Sequence, residues 1–442
     1  MEIKIINTKK LKIMKSVEVV KISKLIPVYK EGVEAEKINV VNFDFSDGNE
    51  CGYNVIAQKG LYNLGDSAVY IQPDYCLSDL PIFDSFIRPG GDESKCRLGK
   101  GFRIRALKFN FSFVNSTDPI YSFGILMPLT EVKLFLKNDY NEELLSELLG
   151  ITKYEEPEKA GSGLTAGDLP SFMYATDETN IFNLKSHVKR VLESEQELGY
   201  NIKVDGSSMS VAFKKIDGVF TSFICSRNQV KKNEQFYIDK YVDSEGKEFH
   251  KYVKRYEDGS TDKGWLNDET QIFYKENEIE NIDGMNIIKR EVKDSWVELA
   301  KTSGVLDKGM EYCKKYDVEL VFRGEINGNG LKGSGNKNNP DSKNKQNFRL
   351  FGIDSLETGF SVRQHYGNEH NLKKVAEELG LIYTQHVRVV KPKTFEEVIA
   401  ISEEIFKEEK EKGRLIEGVV IRTLYSNDLS CKSMSAEYDS KK

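Results

Sequence analysis

Short runs of alternating apolar and polar residues, interrupted by Gly, Asp or Pro, dominate the first third of this chain. Val17-Glu-Val-Val-Lys-Ile22, Lys37-Ile-Asn-Val-Val-Asn-Phe43 and Val69-Tyr-Ile71 read as strands, because residues two apart share one face of a pleated chain. Gly60-Leu-Tyr62, Gly65-Asp66, Arg103-Ile-Arg-Ala-Leu-Lys108 and Tyr121-Ser-Phe-Gly-Ile-Leu-Met-Pro128 continue the pattern. Short strands with turns between them are expected of a small barrel, so residues 1–150 form one β domain. Tyr154-Glu-Glu-Pro-Glu-Lys-Ala-Gly-Ser-Gly-Leu-Thr-Ala-Gly167 is polar and rich in Gly and Pro, which makes residues 151–170 a linker. Over residues 171–442 a helical period appears. Leu184, Val188 and Val191 predict a helix over Phe182–Leu198, and Phe395–Lys412 predicts a second, charged on one face and suited to packing scaffold. Strands are expected over Lys203–Phe213, Val219–Cys225, Val318–Arg323 and Gly418–Arg422.

With 442 residues and 39% hydrophobic content, the chain can build two or more cores. No apolar run reaches the roughly 18 residues of a membrane span, and Met1-Glu-Ile-Lys4 opens no apolar signal segment, so a cytoplasmic protein without a membrane partner is expected. Cys51, Cys76, Cys96, Cys225, Cys313 and Cys431 contain no C-x-x-C pair, and the five histidines no ligand cluster; neither a disulfide framework nor structural zinc is expected. A net charge of −6 excludes a generally basic protein, yet nucleic-acid binding needs only a local positive surface. Two segments invite that reading. Gly328 to Arg349, with Lys332, Lys337, Lys343 and Lys345, could touch phosphates, although a solvated insertion is the plainer reading. Within 229–291, Tyr237, Tyr241, Tyr252, Tyr256, Trp265 and Tyr274 lie among many charges; they could stack bases, but a β-hairpin elaboration with its own small core is favoured.

The chemistry centres on Lys203-Val-Asp-Gly-Ser-Ser208. A lysine becomes a nucleophile only when burial or neighbouring positive charge lowers its pKa. Asp205 could orient the amine or a metal-bound water, Gly206 lets the backbone turn, and Ser207 and Ser208 can donate hydrogen bonds. Taken alone, these six residues are equally well a surface turn. Further motifs follow in order: Ser226-Arg227-Asn228, Glu319-Leu-Val-Phe-Arg-Gly-Glu325, Phe348-Arg-Leu-Phe351-Gly-Ile-Asp354, Glu417-Gly-Val-Val-Ile-Arg422 and Leu429-Ser-Cys-Lys432.

In this order the set resembles the covalent nucleotidyltransferase superfamily of ligases and capping enzymes. The double serine resembles a ligase, and with the N-terminal pattern the likeness extends over nearly the whole chain to the ATP-dependent RNA ligases with an N-terminal OB domain, exemplified by the Deinococcus and Naegleria enzymes. The resemblance implies an α+β fold: an N-terminal OB-fold β-barrel, then a nucleotidyltransferase (ATP-grasp-like adenylyltransferase) domain of antiparallel sheets with flanking helices. It implies Lys203 as the residue that takes AMP from ATP, with Lys432 offsetting phosphate charge. Ile202, Arg227, Glu325, Phe351 and Glu417 complete the nucleotide site, Arg227 on the ribose or a nucleic-acid 3′ end and Phe351 on adenine. Asp205, Glu325 and Glu417 would position Mg²⁺ or Mn²⁺ through its waters, since Mg²⁺ keeps several waters when bound; Glu325 or Glu417 could instead hold ribose hydroxyls. The implied partner is RNA or an RNA-containing nicked duplex, and a monomer is expected.

Three positions depart from the family pattern. Asn180 stands where an arginine often follows the lead-in Thr176-Asp-Glu178, and no binding role is carried to it; Thr176–Glu178 can serve simply as a helix cap. Met434 stands where many ligases have a second lysine, and Cys431 replaces an aromatic. A DNA ligase or capping enzyme would share the lysyl-nucleotide chemistry, but Ser207-Ser208 and the ten residues after Lys432, too few for a C-terminal OB domain, count against both. A decayed, purely nucleic-acid-binding module has only Asn180 and Met434 in its favour.

Overall fold

At Glu31-Gly32, where φ is 53° and 81°, the chain makes the tight turn that a right-twisted hairpin favours, pairing Val17–Lys30 with Val33–Phe45. The structure is a computed structural model and describes residues 16–46, 48–154, 165–232, 236–256, 260–291, 294–331, 340–357 and 369–441; most of the 155–167 connection and Lys332 and Lys337 of the basic segment lie outside them. The hairpin belongs to a five-stranded antiparallel sheet, in the order Val55–Gln58, Val33–Phe45, Val17–Lys30, Ser67–Ile71, Ile125–Pro128. It is bent into a nearly closed, barrel-like form, with register shifts at Ile22/Lys24 and Pro27/Tyr29 of the kind that curve a strand. Both faces are covered, so Ser67–Ile71 is apolar and buried from Ala68 onward: Val69 and Ile71 enter one core, Ala68 and Tyr70 the other.

The expected strand Tyr121–Pro128 is split into Ile120–Ser122 and Ile125–Pro128. Gly124 between them has φ +83°, and a Cβ there would lie 2.4 Å from the Tyr70 ring. Of Arg103–Lys108 only the end is strand, Leu107–Phe109; the backbone at Arg103 and Ile104 is taken up by an isolated bridge to Cys76 and by hydrogen bonds to Asp74 and Tyr75. Thr152–Lys153 pairs with Tyr75–Cys76, whereas Thr165–Asp168 pairs with Gln229–Lys231 of the following region.

Outside the insertion, that region holds two sheets among the described residues. One has six strands, ordered Thr165–Asp168, Gln229–Lys231, Val219–Cys225, Ser207–Ile216, Leu320–Asn327, Asn347–Ser355. The other has five, ordered Thr179–Asn180, Ser430–Met434, Gly418–Thr423, Leu198–Ile202, His386–Val390. Helices Ser295–Thr302, Val305–Tyr316 and Leu372–Leu379 bury Val297, Ala300, Val305, Cys313 and Val375 against the first; Lys185–Glu193 and Phe395–Glu411 bury Val188, Val191, Val398 and Ile405 against the second. The helix predicted over Phe182–Leu198 is shorter. A 3₁₀ turn, Ile181–Leu184, precedes it, and it ends before Glu195, whose φ is +53°, because Leu198 and Tyr200 are drawn into the core as strand. The strand predicted over Lys203–Phe213 begins only at Ser207. Residues 203–206 instead carry the chain from one sheet to the other.

The insertion forms its own five-stranded sheet from Phe236–Val242, Glu248–Arg255, Thr261–Leu266, Phe273–Lys275 and Asn286–Glu291, around Tyr241, Phe249, Trp265 and Ile279. Phe182 joins the N-terminal region to the one that follows, with its ring 5.3 Å from that of Tyr53 and 6.3 Å from that of Phe395.

Candidate active site

Lys203 stands where the chain crosses between the two sheets. Its N–H donates to the Gly418 carbonyl at 2.9 Å, and its Nζ donates to Glu417 Oε2 at 2.6 Å, with the lysine side chain 26% exposed and that of Glu417 7%. Gly206 is required by close approach. A Cβ there would lie 2.2 Å from the Ile326 carbonyl oxygen and 3.0 Å from Glu325 Cγ. This closeness lets Ser207 and Ser208 enter register with Ile326 and Glu325, which brings Glu325 to the lysine. The Trp296 indole N–H donates to the Ser208 carbonyl at 2.9 Å, tying the start of the strand after the crossing to the helix Ser295–Thr302.

The electrostatics reverse one sequence-level expectation. Burial would push the Lys203 ammonium down, but Glu417, Glu325 and Asp205 together outweigh it and hold the group above the ordinary lysine range. Without a counter-cation, Lys203 is firmly protonated. Glu325 is pushed up to about 8 by burial, and although Lys203 pulls it down, Glu417 and Asp205 add to the rise. Three acids thus surround one lysine. Among the described residues no three acidic, His or Cys side chains converge closely enough to ligate one ion directly. The hard oxygen donors and their surplus negative charge fit a hydrated Mg²⁺ or Mn²⁺ held through its waters.

A second cluster flanks this one. Asp177 accepts from Lys432 Nζ at 3.1 Å, Lys153 Nζ at 2.7 Å and Arg227 Nη2 at 3.4 Å. Burial raises the pKa of this acid, but Lys432 and Lys153 prevail and hold it well below the usual carboxylate range. Glu178 accepts from Arg422 Nη2 at 2.8 Å and from the Ser430 hydroxyl at 2.7 Å, and Arg422 Nη1 donates to the Phe351 carbonyl at 3.0 Å. Asp177 and Glu178 are therefore not a helix cap. That task falls to Asn180, whose side chain accepts from the Phe182 N–H at 3.1 Å.

Alternation along Ser430–Met434 explains the unusual last motif. Ser430 and Lys432 turn to the acids, while Cys431 points into the core, fully buried. Phe351 is half-buried and belongs to none of the apolar clusters among the described residues, whereas Ile202 leans on the core of the five-stranded sheet. Lys203, Asp205, Glu325 and Glu417 thus converge directly, with Arg227 within electrostatic reach of Glu325. Asp177 joins Arg227 to Lys432, and Arg422 joins Glu178 to the Phe351 backbone. Asp177, Glu178 and Arg422 were visible in motifs but had no assigned partner, and Tyr438, whose hydroxyl donates to Asp205 Oδ2, had no sequence signal.

No family model and no curated protein matches the chain. Solved structures do. Those of Naegleria gruberi RNA ligase include a mutant with AMP and Mn (18% identity, TM-score 0.62, covering 97% of this chain and 99% of that one). Another mutant with ATP and Mn and a form with PPi each have 18% identity and a TM-score of 0.61, covering 96% of this chain and 98% of theirs. The chain therefore has the fold of these RNA ligases.

Proposed function

We propose that this protein is an ATP-dependent RNA ligase that joins 5′-phosphate and 3′-hydroxyl ends through a lysyl-AMP intermediate. The observation that carries this reading is Lys203 at the inter-sheet crossing, paired with Glu417 at 2.6 Å and faced by Glu325 and Asp205. The like-folded ligase structures with ATP, AMP and Mn support it.

In the first step the Lys203 ammonium loses a proton, with Glu417 Oε2 the acceptor in reach. Nζ then bonds to the α-phosphorus of ATP as the bond to the bridging oxygen breaks and pyrophosphate leaves. Asp205, Glu325 and Glu417 would hold Mg²⁺ or Mn²⁺ through its waters, and its charge would cancel their field on Lys203 and favour the neutral amine. Lys432 offsets the charge that grows on the phosphate. Arg227 contacts the ribose or the 3′ end, and Phe351 stacks on adenine. AMP then passes to a nucleic-acid 5′-phosphate, freeing Lys203, and a neighbouring 3′-hydroxyl displaces AMP to close the phosphodiester. The substrate is a nicked duplex with RNA on the 3′-hydroxyl side, gripped by the N-terminal barrel acting as an OB-fold. The protein works as a cytoplasmic monomer.

The test is incubation with α-labelled ATP and Mg²⁺ or Mn²⁺, reading covalent label after denaturation. Label on the wild type that is absent from Lys203→Ala supports the proposal. An unlabelled, folded wild type stripped of prebound AMP overturns it.

A further inference from the structure

Resting on the lysyl-AMP reading, we infer that Tyr438 is a positioning residue for Asp205, and that the helix carrying Tyr438 transmits the seating of the N-terminal domain to the acids around Lys203.

Tyr438 lies on the short helix Ala436–Lys441 and is fully buried. Its hydroxyl donates to Asp205 Oδ2. A phenylalanine would fill the same space, so packing alone does not require the oxygen; a buried phenol needs a partner, and here the partner is an acid of the nucleophile motif. An ionised carboxylate only accepts. A phenol on one of its oxygens fixes how the group presents itself to the site, as outer partners do for the groups that hold metals.

The same helix is fastened at both sides. Ser435 N–H donates to the carbonyl of Glu417 at 2.9 Å, so the helix starts on the backbone of a second site acid. Asp439, next to Tyr438, turns to the N-terminal domain: its Oδ2 accepts from the Ala106 N–H at 2.9 Å, and its Oδ1 lies 3.4 Å from Arg103 Nη2. Arg103 also pairs with Asp74, and its guanidinium lies 5.0 Å from the centre of the Tyr154 ring. Asp74, Arg103, Asp439, Tyr438 and Asp205 form one continuous line of contacts from the N-terminal domain to the nucleophile. Both ends of its central pair are well sheltered, with Arg103 14% and Asp439 13% exposed. Elsewhere on the same interface, Glu50 pairs with Lys185 and Lys189 without touching this helix, and it supplies the control.

The experiment uses Tyr438→Phe, Asp439→Asn, their double variant and Glu50→Gln in the full chain. Two readouts are taken: covalent label from α-labelled ATP as Mn²⁺ is varied, and binding of Mn²⁺ alone, followed by loss of the free-ion electron paramagnetic resonance signal. For Tyr438→Phe the Mn²⁺ concentration giving half-maximal label rises about tenfold, full label returns at high Mn²⁺, and direct Mn²⁺ binding weakens by a similar factor. Asp439→Asn moves both readouts the same way by a smaller factor, and the double variant matches Tyr438→Phe because the two act in series. Glu50→Gln moves neither. Unchanged metal dependence in Tyr438→Phe overturns the positioning role; single effects that multiply in the double variant overturn the transmission. Should Tyr438→Phe fail to fold, Asp439→Asn, which removes no packed volume, decides on the same readouts. A wild type that binds Mn²⁺ but takes no label sinks the ligase reading instead, while the binding comparison still decides on Tyr438.

Discussion

Arg323 and Asp354 sit almost wholly inside the six-stranded sheet, 3% and 5% exposed, with Nε to Oδ2 at 2.8 Å. Arg323 Nη1 also donates to the Ser210 hydroxyl at 3.2 Å, its guanidinium lies 4.9 Å from the centre of the Tyr174 ring, and the Tyr174 hydroxyl donates to Asp354 at 3.2 Å. At that separation the attraction is ~6 kcal/mol for an effective dielectric constant of about 20, and desolvation of the two charges offsets several kcal/mol of it. The pair adds little net stability, but removing one partner strands a buried charge. Asp354→Ala should therefore destabilise by ~3–5 kcal/mol, whereas Arg323→Met with Asp354→Leu should recover most of that loss. The chain has two tryptophans, and Trp296 hydrogen-bonds to the Ser208 carbonyl of the same sheet, so its fluorescence in a Trp265→Phe background follows this region through urea unfolding. A loss under ~1 kcal/mol for Asp354→Ala, or a double variant as unstable as the summed singles, would refute the reasoning. Because Arg323 lies two residues before Glu325 on Leu320–Asn327, Asp354→Ala should also lower Lys203 labelling.

Gly206→Ala forces a methyl to within 2.2 Å of the Ile326 carbonyl and displaces Lys203 from its acids; labelling should fall by about 10²-fold while far-ultraviolet circular dichroism stays unchanged. Glu325 has its folded pKa raised from 4.5 to about 8, so the folded state binds the extra proton and its stability falls as pH rises through that window. In EDTA, Glu325→Gln should therefore gain stability relative to the wild type between pH 4.5 and 8 and hold that gain above, as read by thermal unfolding; a pH-independent difference would count against the crowded-acid account. Trp265→Ala should cost the insertion ~3–5 kcal/mol, seen as faster amide exchange confined to 236–291, with Lys203 labelling unchanged because its core, Tyr241, Phe249, Trp265 and Ile279, is its own.

Lys203, Asp205, Glu325, Glu417 and Lys432 could be picked out of the sequence as a candidate site because the phosphoryl chemistry proposed for it needs few residue types and each sits in a short, ordered motif. The strands of the N-terminal domain were legible where alternation was strong. Only the tertiary structure decided that Lys203 lies in a sheet-to-sheet crossing rather than in a strand, since the reason is contact between Gly206 and Ile326, 120 positions away in the chain. It likewise decided the protonation of Lys203: a motif names a lysine, but three converging carboxylates set its charge. Asp177 and Glu178 read locally as a cap because a carboxylate before a helix is usually one, and their actual partners come from distant segments, Lys432 and Arg422 from strands and Arg227 from the turn after Cys225. Tyr438 is the extreme case. Nothing in its neighbours along the chain marks it, because its hydrogen bond to Asp205 spans 233 positions; residue type fixes the chemistry available, whereas burial and through-space charge, which decide whether it is used, exist only once distant segments meet.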